Sequence, residues 1–420
     1  MEPFFNTGTM SHHLISVAEA SRLVAQYAPL GGWEWVELRH ALGRVTAQSV
    51  ASDIDSPPHD KTIVDGFAIR AEDLSNGVGE LEVIETVMAG MWPNRMLQAG
   101  QATRIMTGAP LPIGADAVVM VERTTSVVGD EQSRVRIDDS TLRVGQNVVR
   151  RGAAMRVGDK VIAARRCLRS LEIGLLAEVG RETVKVCWRP TVAVLSTGNE
   201  LVPHQDVPRA GQIRNSNGPM LAAAVHRAGG VARELPIGPD DPTKLAALIR
   251  DGLDADMLLI SGGVSAGDLD LTPGILRELG VVEIFHKVQL KPGKPLWFGV
   301  LRGERDKLVF GLPGNPVSSL VCFLLFVRPA IRRYLGEIDV EPRRQRAVLS
   351  APYRQRGPRA AYVPSKCEWN NDGLQVRPLS SQGSGDLRAM IDANALAHFP
   401  PGDQDYAAGA SIEILPLDDA

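Results

Sequence analysis

Three glycine-rich turns, each directly after a run of apolar residues, carry the residues of this chain that are best suited to chemistry. The turns lie within residues 191–200, 257–270 and 308–316. Glycine lets a backbone turn sharply at the end of a strand and approach a ligand closely. In the third turn, Asn315 and Pro316 have the order of a helix cap and a first helical residue, which is a ready anion site. With acids nearby, the turns predict a site for a phosphate-bearing small molecule and a metal ion.

Acidic residues follow the first two of these turns. Glu200, Asp268 and Asp270 each come just after a predicted strand. In a doubly wound sheet, ligands bind beyond the carboxyl ends of the strands, so these acids are expected to converge in one crevice. Separate carboxylates near phosphates are typical ligands of Mg²⁺. The alternative is that Glu200 caps a loop and Asp270 caps the next helix.

A group of lysines follows the second turn. Lys287 precedes Lys291 and Lys294, and prolines flank the last two in the segment Lys-Pro-Gly-Lys-Pro. Proline stiffens the turn, and the lysine ammonium is a compact charge suited to an oxyanion. The pattern therefore favours an oxyanion site over the alternative, a solvated surface turn.

Other polar clusters are less specific. An acid cluster at 60–66 fits an Asx-type turn, and 104–110 ends a strand with a threonine and a glycine. A Ser-His-Asp order, an activated cysteine, a phosphate-binding P-loop and a dinucleotide fingerprint are all missing from the sequence. Nicotinamide chemistry therefore has little support.

Composition narrows the class of protein. The chain has 420 residues, a net charge of −3 and four cysteines without metal-ligand spacing. The charge indicates no nucleic-acid partner, and the cysteine usage fits a reducing cytoplasm. No stretch reaches the ~18 uninterrupted apolar residues of a membrane span, and the N-terminus lacks a signal-peptide pattern. We expect a cytoplasmic protein without a membrane partner.

Hydrophobic periodicity predicts an α/β fold combined with β-rich domains. The start of the chain, 15–27, has the pattern of an amphipathic helix, and a second helix is predicted at 169–179. The region 156–186 is expected to pack with the N-terminal helix. Residues 60–151 and 343–417 show short strands and turns.

The region 191–336 alternates strands and helices. Strands are predicted at 191–197, 255–261, 281–288 and 308–312. The predicted helices span 217–229, 242–253, 272–279 and 316–335. Apolar strands that alternate with helices favour a mostly parallel, doubly wound sheet with helices on both faces.

Six motifs together resemble the molybdopterin molybdenumtransferase family, the insertases that complete molybdenum cofactor and include the E domain of gephyrin. The motifs occupy 65–70, 104–110, 196–201, 261–267, 291–295 and 311–318. The resemblance covers nearly the whole chain and implies an elongated homodimer of four-domain protomers. It divides the chain into a discontinuous N-terminal domain (14–52 and 155–189), a β-rich inserted domain (53–154), an α/β molybdopterin-binding domain (190–337) and a C-terminal β domain (343–418).

The resemblance also implies a reaction, in which adenylylated molybdopterin and molybdate give molybdenum cofactor and AMP with the help of Mg²⁺. Other cofactor-biosynthesis proteins and molybdoenzyme acceptors are further possible partners. The family's catalytic positions map onto Asp60, Thr107, Glu200, Asp240, Asp270, Lys287 and Lys291. Its molybdate positions map onto Lys291, Lys294, Ser318, Arg359 and Ser384, and its metal positions onto Glu200, Asp240 and Asp270. Substrate contacts are implied for Gly262, Gly263, Ser265, Pro313, Gly314, Asn315 and Pro316.

Two departures from the family pattern bear on activity. Ala153 and Ala154 stand where an acidic pair is common, and the loop from Asp60 carries a lysine and larger residues than usual. The alternatives to an insertase are a non-catalytic scaffold of the same fold and a molybdopterin adenylyltransferase. The sequence leaves open the choice between molybdate and tungstate, since the two oxyanions have nearly the same size and charge.

Overall fold

The computed structural model describes residues 14–127, 133–264, 271–380 and 383–417. It has an α/β fold combined with β-rich parts, as the sequence predicts. Within the described residues, no helix is both long and apolar enough to cross a membrane. The α-helices span Val17–Tyr27, Ser170–Glu178, Asn217–Arg227, Pro242–Gly252, Leu271–Glu278, Pro316–Cys322, Arg328–Tyr334 and Arg388–Ile391.

The α/β region is built on a six-stranded sheet. Its strands lie in the order Val231–Glu234, Thr191–Ser196, Met257–Ser261, Lys307–Leu312, Trp297–Leu301, Val281–His286. The first four are parallel, while Trp297–Leu301 is antiparallel to both of its neighbours. The sheet is thus mostly parallel, as predicted, with one reversed strand that the sequence pattern did not reveal.

Helices cover both faces of this sheet because its strands are apolar on both sides. Alternate residues of each strand enter two separate cores, so Val192 and Val194 face one core while Ala193 and Leu195 face the other. The helices Asn217–Arg227 and Pro316–Cys322 contribute to the first core. Pro242–Gly252 and Leu271–Glu278 contribute to the second. The carboxyl ends of the strands remain open between these layers.

The N-terminal helix packs elsewhere than the sequence indicated. Ser16 caps it by accepting a hydrogen bond from the backbone NH of Glu19. Its buried residues Ala20 and Val24 join the α/β core and contact the helical segment 323–334. The expectation that this helix packs with 156–186 was therefore wrong, because its apolar stripe is covered by a partner that lies about 300 residues away in the chain.

A small mixed unit is formed by residues that follow the N-terminal helix together with residues that precede the α/β region. Trp33–Glu37 pairs with Thr183–Cys187, and Val50–Ala51 pairs with Lys160–Ile162, both antiparallel. Together with the helix Ser170–Glu178, these strands enclose their own apolar core.

The β-rich region 60–151 forms a second six-stranded sheet. Its strands are ordered Ala117–Met120, Gly66–Ile69, Gln101–Ile105, Val78–Val87, Arg134–Asp138, Thr124–Val127. Polar and apolar residues alternate in this sheet as they do in half-buried strands, and Leu81, Val135 and Ile137 enter its core.

The C-terminal strands close into a barrel. Ala360–Asn370, Gly373–Pro378, Gln345–Leu349, Ser411–Pro416 and Ala395–Phe399 pair in that order, and the last strand pairs back with the first. Closure removes open sheet edges except where Leu290–Lys291, from the α/β region, adds to Ala360–Asn370 in parallel.

The stability of the small mixed unit can be tested at Glu172, which is only 7% exposed. Hydrogen bonds lower the pKa of Glu172 to about 2, although burial acts in the opposite direction. The largest cause is the side chain of Arg169, and the side chain of Arg166 and the backbone NH of Arg169 add to it. Because the folded pKa lies below the unfolded one, this carboxylate stabilises the fold above the unfolded pKa. Its contribution is lost as the pH falls towards the folded pKa.

We expect Glu172→Gln to lower the free energy of unfolding by at most about 3 kcal/mol near neutral pH. Between about pH 7 and about pH 3.5, wild type should lose about 1 kcal/mol that the variant does not lose. Urea unfolding at both pH values measures this difference. Glu182→Gln, at an exposed position in the same unit, is the matched control. Equal pH dependence in wild type and Glu172→Gln would contradict the assignment.

Candidate active site

A large cavity opens at the carboxyl ends of the parallel strands, with a volume of about 1060 Å³. The three glycine-rich turns that stood out in the sequence all contribute to its wall. This arrangement follows from parallel pairing, because the ends of parallel strands meet at one edge of a sheet. The lining includes Gly198, Glu200, Asp240, Gly262, Gly263, Pro313, Gly314, Asn315 and Pro316.

Two glycines of the second turn let the backbone form the cavity wall. Gly262 and Gly263 have φ values of 97° and 64°, in the left-handed region that side chains rarely adopt. A Cβ at Gly262 would lie 2.5 Å from the carbonyl oxygen of Thr197, and one at Gly263 would lie 2.9 Å from Oγ1 of Thr272. Larger residues at these positions would therefore distort the wall.

Buried polar atoms line the same cavity without a protein partner among the described residues. Buried polar groups are normally hydrogen-bonded, and an unmet one costs about 1–3 kcal/mol. Several such groups around one cavity indicate a polar ligand. The atoms are Oγ of Ser196, Oγ1 of Thr197, Oδ1 of Asn217 and Oγ1 of Thr272.

Asn217 is held firmly in this wall. Its Nδ2 donates to Oγ of Ser261 and to the carbonyl oxygen of Gly314, both at 2.7 Å. Sequence reasoning did not single out Asn217 or Thr272. For Asn217, the available signal was its position at the start of a helix that follows two short strands. Its partner Gly314 is distant in the chain and could not be identified from local pattern.

Two of the three acids implied as metal ligands lie on this cavity. Glu200 and Asp240 are both exposed and line it. Asn199 joins their two loops, since its backbone NH donates to Oδ2 of Asp240 at 3.3 Å and its Oδ1 accepts from the backbone NH of Asp240 at 3.1 Å. Ser265 and Asp270 lie outside the described residues.

The donors on this side of the cavity fit a hard divalent cation. Both are carboxylate oxygens in an open cavity, which leaves room for the waters that Mg²⁺ retains. Across the described residues, no three His, Cys, Asp or Glu side chains form a closed metal cluster. The two described carboxylates therefore suit a cation that is shared with a ligand.

A second cleft, of about 510 Å³, lies between the α/β region and the C-terminal barrel. The five positions implied for molybdate all line it, although they come from four separate segments of the chain. They are Lys291, Lys294, Ser318, Arg359 and Ser384. Among the described residues that line this cleft there are three cations and no carboxylate.

Backbone pairing sets the geometry of the cationic cleft. Leu290 and Lys291 pair with Ala360 and Ala361, and Nη1 of Arg359 lies 3.4 Å from the carbonyl oxygen of Leu290. On the opposite wall, Nδ2 of Asn315 donates to Oγ of Ser384 at 2.9 Å.

The two clefts adjoin. Pro295, Pro313 and Asn315 line both of them. The acids Glu200 and Asp240 lie on the larger cavity, which Arg214 also lines, whereas Lys291, Lys294 and Arg359 lie on the smaller one. A ligand that spans both would thus meet carboxylates at one end and three cations at the other.

Three of the implied catalytic positions do not line either cleft. Lys287 has a positive φ of 75°, and its backbone NH donates to the carbonyl oxygen of Leu296. Asp60 accepts from Nη1 of Arg150 at 2.6 Å and from the backbone NH of Arg151 at 2.8 Å. Asp60 and Thr107 both belong to the β-rich region.

Thr107 is bound to a neighbouring acid of that region. Its backbone NH and its hydroxyl both donate to Oδ1 of Asp65 at 2.7 Å, and these bonds lower the pKa of Asp65. Asp65 therefore fixes the loop that carries Thr107, which gives this acid of the 60–66 cluster a structural role. The sequence-based expectation of an Asx-type turn was wrong, since Asp60 and Asp65 accept their hydrogen bonds from residues that are distant in the chain.

Comparison with known proteins supports the resemblance. Three family models match in succession, namely the MoeA N-terminal region (domain I and II) at 15–180, a probable molybdopterin binding domain at 193–333 and the MoeA C-terminal region (domain IV) at 346–417. A molybdopterin molybdenumtransferase of Staphylococcus aureus is 32% identical over 385 residues, which cover 90% of each chain. One from Staphylococcus epidermidis is 32% identical over 96% of this chain and 95% of its own.

Solved structures agree over the same length. The molybdopterin biosynthesis MoeA protein from Pyrococcus horikosii superposes with a TM-score of 0.81 at 33% identity, covering 97% of this chain and all of that one. The family models, the curated relatives and this structure thus agree from the N-terminal helix to the C-terminal barrel. The chain belongs to the molybdopterin molybdenumtransferase family of transferases.

Proposed function

We propose that the protein inserts molybdenum from molybdate into adenylylated molybdopterin, which releases AMP and forms molybdenum cofactor. The observation that carries this proposal is the direct contact between a cationic cleft and a larger, glycine-lined cavity, whose wall has buried polar atoms without a partner among the described residues. A reaction between an oxyanion and a phosphate-bearing organic substrate needs two such adjoining sites. Family membership supports the same chemistry.

The larger cavity would hold adenylylated molybdopterin. Gly262 and Gly263 let the backbone approach its phosphates, and the turn 313–316 lines the cavity directly beside them. The buried hydroxyls of Thr197 and Thr272, which have no partner among the described residues, would supply hydrogen bonds to it. Ser265 is proposed to contribute to the same wall.

Mg²⁺ would be held by Glu200 and Asp240, with Asp270 as a proposed third ligand. Bound there, the ion would neutralise phosphate charge and polarise the bond to be cleaved. The chain's own contribution is to hold two carboxylates in one cavity wall through the paired loops at Asn199 and Asp240.

The smaller cleft would bind molybdate, a tetrahedral dianion. Lys291, Lys294 and Arg359 provide positive charge, while the hydroxyls of Ser318 and Ser384 can donate hydrogen bonds. Molybdate would thereby be held next to the organic substrate before the bond to AMP breaks. The contacts described do not distinguish molybdate from tungstate.

Asp60 and Thr107 would enter the site from a second copy of the chain. In a single chain they do not line either cleft, although both map onto catalytic positions of the family. A homodimer that apposes the β-rich region of one protomer and the α/β region of its partner would bring them together. Lys287 is proposed to act at the same site. Other cofactor-biosynthesis proteins and molybdoenzymes are proposed partners, in the cytoplasm.

A non-catalytic scaffold is the second candidate. Ala153 and Ala154, which replace a common acidic pair, lie on an exposed turn whose backbone pairs with Arg150 and Ser56. The complete set of cations in the smaller cleft favours the enzyme instead. An adenylyltransferase is less well supported because the match to the family extends far beyond the α/β domain.

The deciding experiment measures AMP release from adenylylated molybdopterin as molybdate is added, with tungstate in parallel. We expect release to depend on the oxyanion and on Mg²⁺. If neither oxyanion supports AMP release at saturating concentrations, the insertase proposal fails and the scaffold remains.

We expect Arg359→Ala to raise the molybdate concentration for half-maximal AMP release about ten- to a hundredfold. The reason is the loss of a charge-assisted contact worth about 1.5–3 kcal/mol. Arg354→Ala is the matched control, since Arg354 lies in the strand Tyr353–Gln355, close in the chain to Arg359, but does not line the cleft. An unchanged molybdate dependence in Arg359→Ala would exclude Arg359 from the oxyanion site.

We expect Asp240→Asn to raise the Mg²⁺ concentration for half-maximal AMP release, while the thermal unfolding temperature stays close to wild type. Asparagine can still accept the hydrogen bond from Asn199, but it lacks the charge that a hard cation needs. A Mg²⁺ titration of both proteins checks this, with the exposed Asp254→Asn as control. Superimposable titrations would show that Asp240 only joins two loops.

A further inference from the structure

A buried glutamine lies behind the cationic cleft, in a position that no family motif above includes. Gln355 is the last residue of the strand Tyr353–Gln355 and has no exposed surface. Burying an amide is unfavourable unless its groups are hydrogen-bonded. The hydrogen bonds of this side chain therefore indicate why a polar residue occupies this position.

The side chain of Gln355 spans the turn that carries Arg359. Its Nε2 donates to the carbonyl oxygen of Arg359 at 2.9 Å. Its Oε1 is buried and has no partner among the described residues. The only hydrogen bond from this side chain in that part of the structure thus goes to the backbone of Arg359.

The outer side of the same turn is fixed separately. The backbone NH of Gly357 donates to Oδ1 of Asp403 at 2.7 Å, and the backbone NH of Gly402 donates to the carbonyl oxygen of Gly357 at 2.9 Å. Arg356 adds a bond from its Nη1 to the backbone carbonyl oxygen of Gln355. These contacts anchor the tip of the turn. The hydrogen bond from the side chain of Gln355 fixes the other end, where Arg359 enters the cleft.

That end carries the guanidinium of Arg359 and leads into the pairing with Leu290 and Lys291. The backbone NH of Ala360 donates to the carbonyl oxygen of Gln289 at 3.1 Å, and Nη1 of Arg359 lies 3.4 Å from the carbonyl oxygen of Leu290. A shift of the Arg359 backbone would therefore change the spacing between its guanidinium and the lysines opposite.

We propose that Gln355 is a positioning residue that fixes Arg359 relative to Lys291 and so sets the affinity of the cleft for a tetrahedral oxyanion. Gln355 does not touch the oxyanion, and it acts through the backbone of Arg359. This inference rests on the proposed oxyanion function of the cleft.

The test is Gln355→Met, which keeps the length of the side chain and removes both polar groups. Because the variant also removes a buried oxygen that has no partner in the described structure, its thermal unfolding temperature should not fall appreciably. Calorimetric titration with molybdate should show binding about three- to tenfold weaker, as expected for one lost hydrogen bond. In the AMP-release assay the half-saturating molybdate concentration should rise while the rate at saturating molybdate stays near that of wild type.

The control variants distinguish an incorrect role for Gln355 from a loss of folding and from a cleft that does not bind molybdate. Gln404→Met makes the same substitution at the exposed position opposite Gln355 in the two-stranded ribbon and should leave molybdate binding unchanged. Gln355→Asn keeps the amide on a shorter side chain, should weaken binding like Gln355→Met, and decides the question if the methionine variant does not fold. Wild-type affinity in either folded variant overturns the role of Gln355. If wild type itself does not bind molybdate, the proposed function of the cleft fails, and this inference fails with it.

Discussion

The candidate site depends on a pairing of two residues between domains. Leu290 and Lys291 extend the C-terminal barrel by pairing with Ala360 and Ala361, which fixes the register between the α/β region and the barrel. Without this contact, the lysine turn could be the solvated loop that was the alternative interpretation of its sequence. Because the pairing continues directly from Arg359, it brings that residue to Lys291 and Lys294, so that cations from two distant segments line one cleft. The chemistry of the cleft is thus a consequence of how two domains dock.

Charge separation between the adjoining clefts follows from their origins. The carboxylates belong to loops at the ends of parallel strands and share their cavity with Arg214, whereas Lys291, Lys294 and Arg359 lie at the junction with the barrel. If acids and lysines shared one cavity, ion pairs between them would compete with an incoming oxyanion. Asn315 and two prolines form the common boundary. A molecule that reached across this boundary would have its phosphates near the carboxylate side, where a divalent cation can mediate, and its reacting end near the cations.

Local patterns predicted the parts of the fold that are set by local physics. The apolar runs with glycine-rich ends gave the central strands and the wall of the large cavity, and the Asn-Pro pair gave the start of the helix at Pro316. What could not be predicted depends on contacts far apart in the chain. The reversed strand Trp297–Leu301, the packing of the N-terminal helix on 323–334 and the bond from Asn217 to Gly314 are of this kind. Periodicity shows that a face is apolar, but not which element covers it.

The large cavity also shows why residues suited to ligand binding are poor choices for stability alone. Thr197 and Thr272 have buried hydroxyls without a partner in the described part of the chain, and Gly262 and Gly263 hold left-handed backbone that favours glycine. An apolar residue in place of either threonine would remove a buried polar group, and glycine loses more conformational freedom on folding than other residues do. Their combination around one cavity is easiest to understand if a polar ligand completes these hydrogen bonds and occupies the space that side chains would otherwise fill.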